Sequence, residues 1–342
     1  MDTFKNYSHT SLHLIHFKKP NQAFDATTIK AISKTLEKQQ KVVIFVNKSG
    51  MHTGMICNSC GHIPYCHQCD LPISWHYNDH HKLFWLCSIC QSLYTTMEMC
   101  PECKTGKMKG YGMGIQKVSD CCVELFNITP VLVQSRIANS LPKTTALIQS
   151  LDESRIILTT SLMQTALMQN VGLVVVQNAL PATMPGFNSE YQNYIFLNNL
   201  IHSFQTPHIL LQAHDCEHPL IQSIAQNDSS LFLNHDTEFK IKHHYPPYGE
   251  LCILIYKAEG ESVLFNKVNK LFHAMLALKT QQKRDDLELY AVPATIYKIY
   301  NKYRYQIVVK GVDVRTFMDE VFVSLKPYAK GFKIDRGAQS FY

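Results

Sequence analysis

The sequence predicts an α/β domain with a mainly parallel sheet, interrupted by an inserted cysteine-rich module and followed by a small α+β domain. Three observations lead there. Short apolar runs alternate with helical segments on both sides of residues 54–109, the pattern of strands joined by crossover helices. Four Cys-x-x-Cys pairs fall between Cys57 and Cys103, after a helix and a strand rather than before them. Past Tyr245-Pro-Pro-Tyr248 the order becomes strand, long helix, strand, helix, strand.

A chain of 342 residues suits two or three domains and can bury a sizeable core. Its hydrophobic fraction of 46% is ordinary for a globular protein. A net charge of +6 permits a nucleic-acid partner without requiring one. No apolar run approaches the roughly 18 residues of a membrane span, and the N-terminus lacks a signal-peptide pattern. The expectation is a soluble, cytoplasmic protein with no membrane partner.

Taken in order, Ala26 to Gln40 has helical spacing, with Ile29, Ile32 and Leu36 on one stripe and Asp25 or Thr27 as N-cap. Lys41-Val-Val-Ile-Phe-Val46 is almost wholly apolar, as a central parallel strand should be. Asn47-Lys-Ser-Gly50 reads as a turn. After the module, Gly110-Tyr-Gly-Met-Gly114 opens a helix containing Val118, Cys121, Cys122 and Leu125. The glycines read as a tight strand-to-helix turn, since the fuller phosphate-binding fingerprint is missing. Val131–Val133, Arg155–Leu158, Val171–Val176 and Ile209–Gln212 are buried-strand candidates, with a helix expected from Ser161 to Gln169. Helices are expected over 218–225 and 232–242. The double proline then breaks the chain. Strands at Leu251–Tyr256, Tyr303–Val309 and Gly331–Asp335 follow, with helices at 262–279 and 316–325 and a polar loop at 280–287.

The cysteines carry the clearest chemistry. Zinc prefers four thiolates in a tetrahedron, and a two-residue gap lets two sulfurs on one turn reach the same ion. Four pairs therefore imply two zinc ions. Disulfides do not suit a chain without a secretory signal. The stretch between Cys69 and Cys87 looks like a hairpin, Ile73–Tyr77 and Leu83–Leu86 around a polar turn at 78–81. That favours a nested scheme. Cys66, Cys69, Cys87 and Cys90 would hold one zinc at the hairpin ends, and Cys57, Cys60, Cys100 and Cys103 the other. His62, His67, His76, His80 and His81 are then surplus. Cys121, Cys122, Cys216 and Cys252 read as core thiols.

In the C-terminal region, alternation places Tyr303 and Tyr305 on one strand face and Lys302, Arg304 and Gln306 on the other. Exposed tyrosines could stack on bases and the basic row could meet phosphates. Equally, the tyrosines could be core and the basic row merely solvated.

The cysteine spacing, with Asn47-Lys-Ser-Gly50 before it, resembles the primosomal protein N′ family, the PriA replication-restart helicases. Gly110 to Gly114, Leu210-Leu-Gln-Ala-His-Asp-Cys-Glu-His-Pro-Leu220, Tyr245-Pro-Pro-Tyr248 and Tyr303-Arg-Tyr-Gln306 are similar to further family motifs, in the same order. The resemblance implies the second RecA-like helicase lobe over 1–53 and 110–217, the zinc insertion over 54–109, and the family's C-terminal domain over 218–342. It also implies single-stranded or forked DNA and other primosome proteins as partners. In such proteins the C-terminal strand helps to form a pocket for the acidic tail of single-stranded-DNA-binding protein, and Lys302 and Gln306 occupy the matching positions. Lys298, Lys302, Tyr303, Arg304, Tyr305 and Gln306 are therefore the candidate DNA- or partner-binding residues.

The departures point away from catalysis. No G-x-x-x-x-G-K-[ST] occurs, and Asp319-Glu320 lies in an amphipathic helix rather than after a strand. The family's glycine-threonine-glutamine reads Thr159-Thr-Ser161 here, and the stretch matching its arginine pair, Asn198 to Gln205, contains no arginine. An arginine finger is worth about 10³–10⁵ in rate. ATP binding and turnover are not expected. The expected function is a PriA-like zinc- and DNA-binding primosomal protein. The alternatives are the second-lobe subunit of a split ATP-dependent DNA helicase, with its first lobe on a separate chain, and a purely structural zinc protein.

Overall fold

The computed structural model describes residues 2–7, 10–17, 22–47, 54–77, 82–96, 98–133, 149–160, 169–181, 186–204 and 206–341. Most of the turn expected at 47–50, the turn at 78–81, Ser161 and most of the helix expected after it, and Gln205 lie outside these residues.

The first domain is built on a seven-stranded sheet. In chain order its strands are β1 (Asp2–Tyr7), β2 (Thr10–His16), β3 (Lys41–Phe45), β9 (Val131–Val133), β10 (Ile156–Thr159), β11 (Val171–Val176) and β12 (His208–Ala213). In space the order is β1-β2-β12-β11-β3-β10-β9. Only β1, at the edge, runs antiparallel to its neighbour; the other six strands are mutually parallel. Strand side chains alternate between faces, and both faces here are apolar. Val43, Phe45, Val174, Val176, Ile209 and Leu211 enter one core cluster. Val42, Ile44, Leu173, Val175 and Leu210 enter the other. That double burial is why β3 and β11 read as near-continuous apolar runs, KVVIF and VGLVVV.

Helix α1 (Ala26–Glu37) and helix α2 (Ile115–Phe126) cover the second face with Ile32, Leu36, Ile115, Val118 and Cys122. Asp25 caps α1, its carboxylate accepting from the Thr27 amide at 2.8 Å. Helix α3 (Ser189–Ser203) covers the first face through Tyr194, Leu197, Leu200 and Ile201. Gln212, fully buried, ties the strand ends together. Its Oε1 accepts from Asp25 N, and its Nε2 donates to the carbonyls of Ala23 and Gln177.

The cysteine module is mounted on a two-stranded ribbon, β4 (Gly54–Cys57) against β8 (Met108–Tyr111). The chain leaves and re-enters the domain through this ribbon. Inside the module, β5 (Ser74–Tyr77), β6 (Leu83–Leu86) and β7 (Leu93–Tyr94) form a small antiparallel sheet. The hairpin read from the sequence is β5 and β6.

The C-terminal domain is a four-stranded antiparallel sheet formed by β13 (Glu250–Ala258), β14 (Leu287–Ile299), β15 (Lys302–Gly311) and β16 (Lys333–Arg336). Their order is β14-β15-β13-β16. After α4 (Pro219–Gln226) and α5 (Ser229–Lys242) come the helices of this domain, α6 (Glu261–Gln281) and α7 (Val314–Ser324), which pack on one face of the sheet. The other face turns toward the first domain, where Phe187 joins Leu251, Ile253, Ile255 and Val308. Tyr245 of the double-proline stretch stacks on Phe187, with ring centroids 4.7 Å apart and planes 7° from parallel.

Two expectations change. The division at residue 217/218 does not coincide with the packing. Leu220, Ile221, Ile224 and Ala225 of α4 and Phe232 of α5 are buried in the first domain's core. Periodicity identifies an amphipathic stripe but not the core that stripe serves. Two long strands also escaped the sequence reading. β2 adds to the parallel sheet beside β12, and β14 spans a stretch whose pairing shifts register between Pro293 and Lys298. Proline cannot donate to a ladder, so that strand alternates poorly.

The packing of α4 is testable. Ile221→Ala should lower the unfolding free energy by about 2–5 kcal/mol in denaturant titration, through the cavity it leaves. Val323→Ala, at a position 81% exposed, should stay within about 0.5 kcal/mol.

Candidate metal centres

One local structure is repeated four times in the module. In each Cys-x-x-Cys pair the residue after the second cysteine is left-handed: Gly61, Asp70, Gln91 and Lys104, with φ of 74°, 49°, 60° and 57°. Each of these amides donates back to the carbonyl of its pair's first cysteine, at 3.2, 2.8, 3.0 and 3.0 Å. Each first cysteine in turn donates its own amide to a carbonyl just past the turn, that of His62, Leu71, Ser92 or Gly106. The left-handed region disfavours side chains, yet only one of the four positions is glycine. The turns adopt it because it points both sulfurs of a pair to the same side.

The four turns meet in two groups. Cys57, Cys60, Cys100 and Cys103 form the first, and Cys66, Cys69, Cys87 and Cys90 the second, with the sulfurs of each group within 4.8 Å of one another. This is the nested arrangement. Four thiolates about 2.3 Å from one zinc would stand roughly 3.8 Å apart. The Sγ separations between turns are 3.7 Å for Cys57–Cys103, 3.7 Å for Cys60–Cys100 and 3.5 Å for Cys66–Cys90. Both groups fit two tetrahedral thiolate-bound ions. Among the described residues, His62, His67 and His76 belong to neither group.

Burial and hydrogen bonding pull the thiols apart electrostatically. Burial pushes Cys87 up to about 12. Hydrogen bonds from the Thr105 hydroxyl and the Gly106 and Thr105 amides bring Cys103 down to about 5. A divalent cation is what allows all four of a group to be thiolates together. Further donors surround the sulfurs. The Tyr94 hydroxyl donates to Cys66 Sγ at 3.0 Å, the Ser92 hydroxyl lies 3.0 Å from Cys90 Sγ, and the Gly106 amide donates to Cys103 Sγ at 3.3 Å. Sequence reasoning did not single out Ser92 or Tyr94. Their place two and four residues after Cys90 is the only signal, and it is weak.

The C-terminal candidates are distributed differently from expectation. Tyr303 and Tyr305 pack against the domain core, Tyr305 edge-on to Phe265 at 5.2 Å and Tyr303 against Tyr297 at 5.4 Å. The helix α6 covers their face, so they form no open stacking platform. Arg304 and Gln306 are buried, at 8% and 3% exposure. Lys298 is held by the module, donating to the His67 carbonyl at 3.0 Å and pairing with Asp70 at 3.3 Å. Lys302 is exposed. On the same sheet face, exposed Lys257 sits opposite Arg304 in the ladder, and Lys333 lies opposite Ile255 on the next strand. Burial, and then the charges of Arg304, Lys333 and Lys302, hold the Lys257 ammonium below its usual value. Among the described residues none of these four cations pairs with a carboxylate. Nearby, between the two domains, lies a cleft of about 770 Å³ lined by Phe187, Tyr245, Tyr290, Phe341, Gln306 and Lys310. Lys310 is already engaged there by Glu288 at 3.2 Å and the His243 carbonyl at 2.8 Å.

A parallel α/β lobe carrying an inserted module with two four-cysteine centres, joined to an antiparallel α+β domain, is the class of protein that these features define. The chain is similar along most of its length to bacterial proteins described as replication restart protein PriA. It is 26% identical to that of Bacillus subtilis over 303 residues, covering 84% of this chain and 36% of the relative. Against that of Synechocystis it is 25% identical, covering 82% of this chain and 34% of the relative. Against that of Borreliella burgdorferi the figures are 24%, 87% and 45%. The chain thus spans between a third and a half of the length of these curated relatives. No family model matches it. The resemblance read from the motifs agrees with these similarities.

Two glycine substitutions test the centres. A Cβ at Gly106 would stand 2.4 Å from Cys57 Sγ, an atom that cannot move without leaving its ion. Gly106→Ala should therefore lower the metal content from two ions per chain to one, by elemental analysis. Gly61→Ala meets nothing within 4 Å. It should cost about 1 kcal/mol for its left-handed φ and keep both ions.

Proposed function

We propose that the chain is a PriA-like, zinc- and DNA-binding protein of replication restart and primosome assembly, acting without ATP hydrolysis of its own. The observation that carries this reading is continuity. The similarity to the restart proteins of Bacillus subtilis and Synechocystis runs through lobe, module and C-terminal domain rather than stopping at the cysteines. Zinc is the ion best suited to two closed four-thiolate sites. Neither centre leaves an open position, so the ions support structure rather than chemistry.

DNA contact is assigned to the exposed end of the C-terminal sheet face whose other end packs on the first domain. Lys302, Lys257 and Lys333 surround Arg304 there, and clustered cations without acidic partners favour phosphates. Lys302 takes over the role that the sequence reading shared among six residues. Single-stranded or forked DNA is the proposed ligand, with other primosome proteins, single-stranded-DNA-binding protein among them, as proposed partners. The lack of arginine from Asn198 to Gln205, the stretch matching the family's arginine pair, supports the non-catalytic reading over the split helicase.

Fluorescence anisotropy at low salt should show weak binding to single-stranded and forked DNA. Lys257→Ala/Lys302→Ala should weaken it uniformly and reduce the salt slope by about 2. Tyr305→Phe, in the core, should leave it unchanged. No binding to either DNA would overturn the DNA assignment. ATP hydrolysis stimulated by DNA, and abolished by mutating a residue of this chain, would overturn the non-catalytic one.

A further inference from the structure

The turn joining β14 to β15 is far from the cysteines in sequence and against them in space. Tyr300 and Asn301 are both left-handed, with φ of 50° and 62°, the geometry of a tight two-residue hairpin. The polar contacts of that tip go to one of the two candidate metal centres. The Asn301 amide donates to the Gln68 carbonyl at 2.9 Å. Lys298 Nζ donates to the His67 carbonyl at 3.0 Å and pairs with Asp70. His67 and Gln68 are the two residues between Cys66 and Cys69, and Asp70 is the left-handed residue that closes that turn. The Tyr300 hydroxyl reaches the carbonyl of Ile89, between Cys87 and Cys90, at 3.5 Å. Ile299 packs against the module's apolar cluster, which includes cysteines of both centres. Both turns of the second centre are gripped. Among the described residues the tip makes no hydrogen bond or ion pair to the first centre's turns.

The chemistry is complementary. Four thiolates on one divalent ion leave a net charge of about −2, spread over sulfurs and adjoining peptides. An ammonium with only 14% of its side chain exposed, together with the Asn301 backbone amide, faces that charge. The carbonyls of His67, Gln68 and Ile89, each between the two cysteines of a turn, accept from the tip. Groups that hydrogen-bond metal ligands orient them and tune their affinity.

We propose that the ion bound by Cys66, Cys69, Cys87 and Cys90 is the joint that fixes the C-terminal domain to the module, with the Lys298–Asn301 tip serving as its outer shell. The ion in the other centre shapes the module alone. Occupancy of the second centre then sets the position of the β14–β15 hairpin and of Lys302 beside it. The proposal rests on the metal reading above, and the experiment separates the two.

Elemental analysis of the full chain comes first, and two zinc ions per chain are expected. Fewer would sink the metal reading itself. With both present, zinc transfer to a chromophoric chelator is followed for the wild type and for Lys298→Met/Tyr300→Phe, which leaves every cysteine in place. One equivalent should leave about tenfold faster in the variant, and the other at the wild-type rate. In parallel, hydrogen exchange over residues 296–306 is compared between Cys90→Ser and Cys60→Ser. Protection should fall in Cys90→Ser and persist in Cys60→Ser, which controls for general damage to the module. Unchanged release of both ions, equal acceleration of both, or hairpin protection that responds alike to the two cysteine variants would overturn the proposal.

Discussion

The module depends on a constraint of charge. Eight sulfurs are packed into two groups, each within 4.8 Å, and most are buried. Thiolates so placed repel one another, and thiols so placed would bury polar groups with little to bond. A divalent ion in each group would remove the conflict. Three of the four turns accept a left-handed residue with a side chain, Asp70, Gln91 or Lys104, in order to aim their sulfurs inward. Little else holds the module. Its apolar cluster is built around the cysteines themselves with Met55, Ile73 and Trp85. Binding of an ion to each group would therefore contribute directly to folding of the module.

The parallel sheet answers a different demand, the burial of two apolar faces. Helices on both sides satisfy it, and the ends of β11 and β12 are tied to the segment leading into α1 by the carboxamide of Gln212. Into this rigid lobe the module enters through a single ribbon, β4 and β8, so the insertion need not disturb the sheet. A ribbon alone is a hinge. The second anchor is the β14–β15 turn on the Cys66–Cys90 centre, and together the two attachments make the module a strut between domains.

The C-terminal sheet shows how one strand serves several purposes. Tyr303 and Tyr305 face α6 and stabilise the domain. Arg304 and Gln306 face the opposite way and are buried near the first domain. Lys302 emerges at the strand's start, beside the turn that grips the module. A surface for phosphates thus begins where the packing ends, and Lys257 and Lys333 extend it from neighbouring strands.

The sequence by itself determined what is local. Two-residue cysteine spacing defines a metal-binding turn, near-continuous apolar runs define strands buried on both faces, and Pro246-Pro247 defines a break. Each depends on neighbours a few residues apart, so the chain displays it. Tertiary structure decided which surfaces face which. Helix α4 serves the first domain's core rather than the domain that follows it, because only assembly shows where an apolar stripe is received. Strand β2 is recognised as a strand once β12 lies beside it. Lys298 reads as a free cation in the sequence and proves to be spent on the carbonyl of His67, more than two hundred residues away. Backbone carbonyls and amides are alike at every position, so a contact made by them across the fold leaves almost no mark on the sequence.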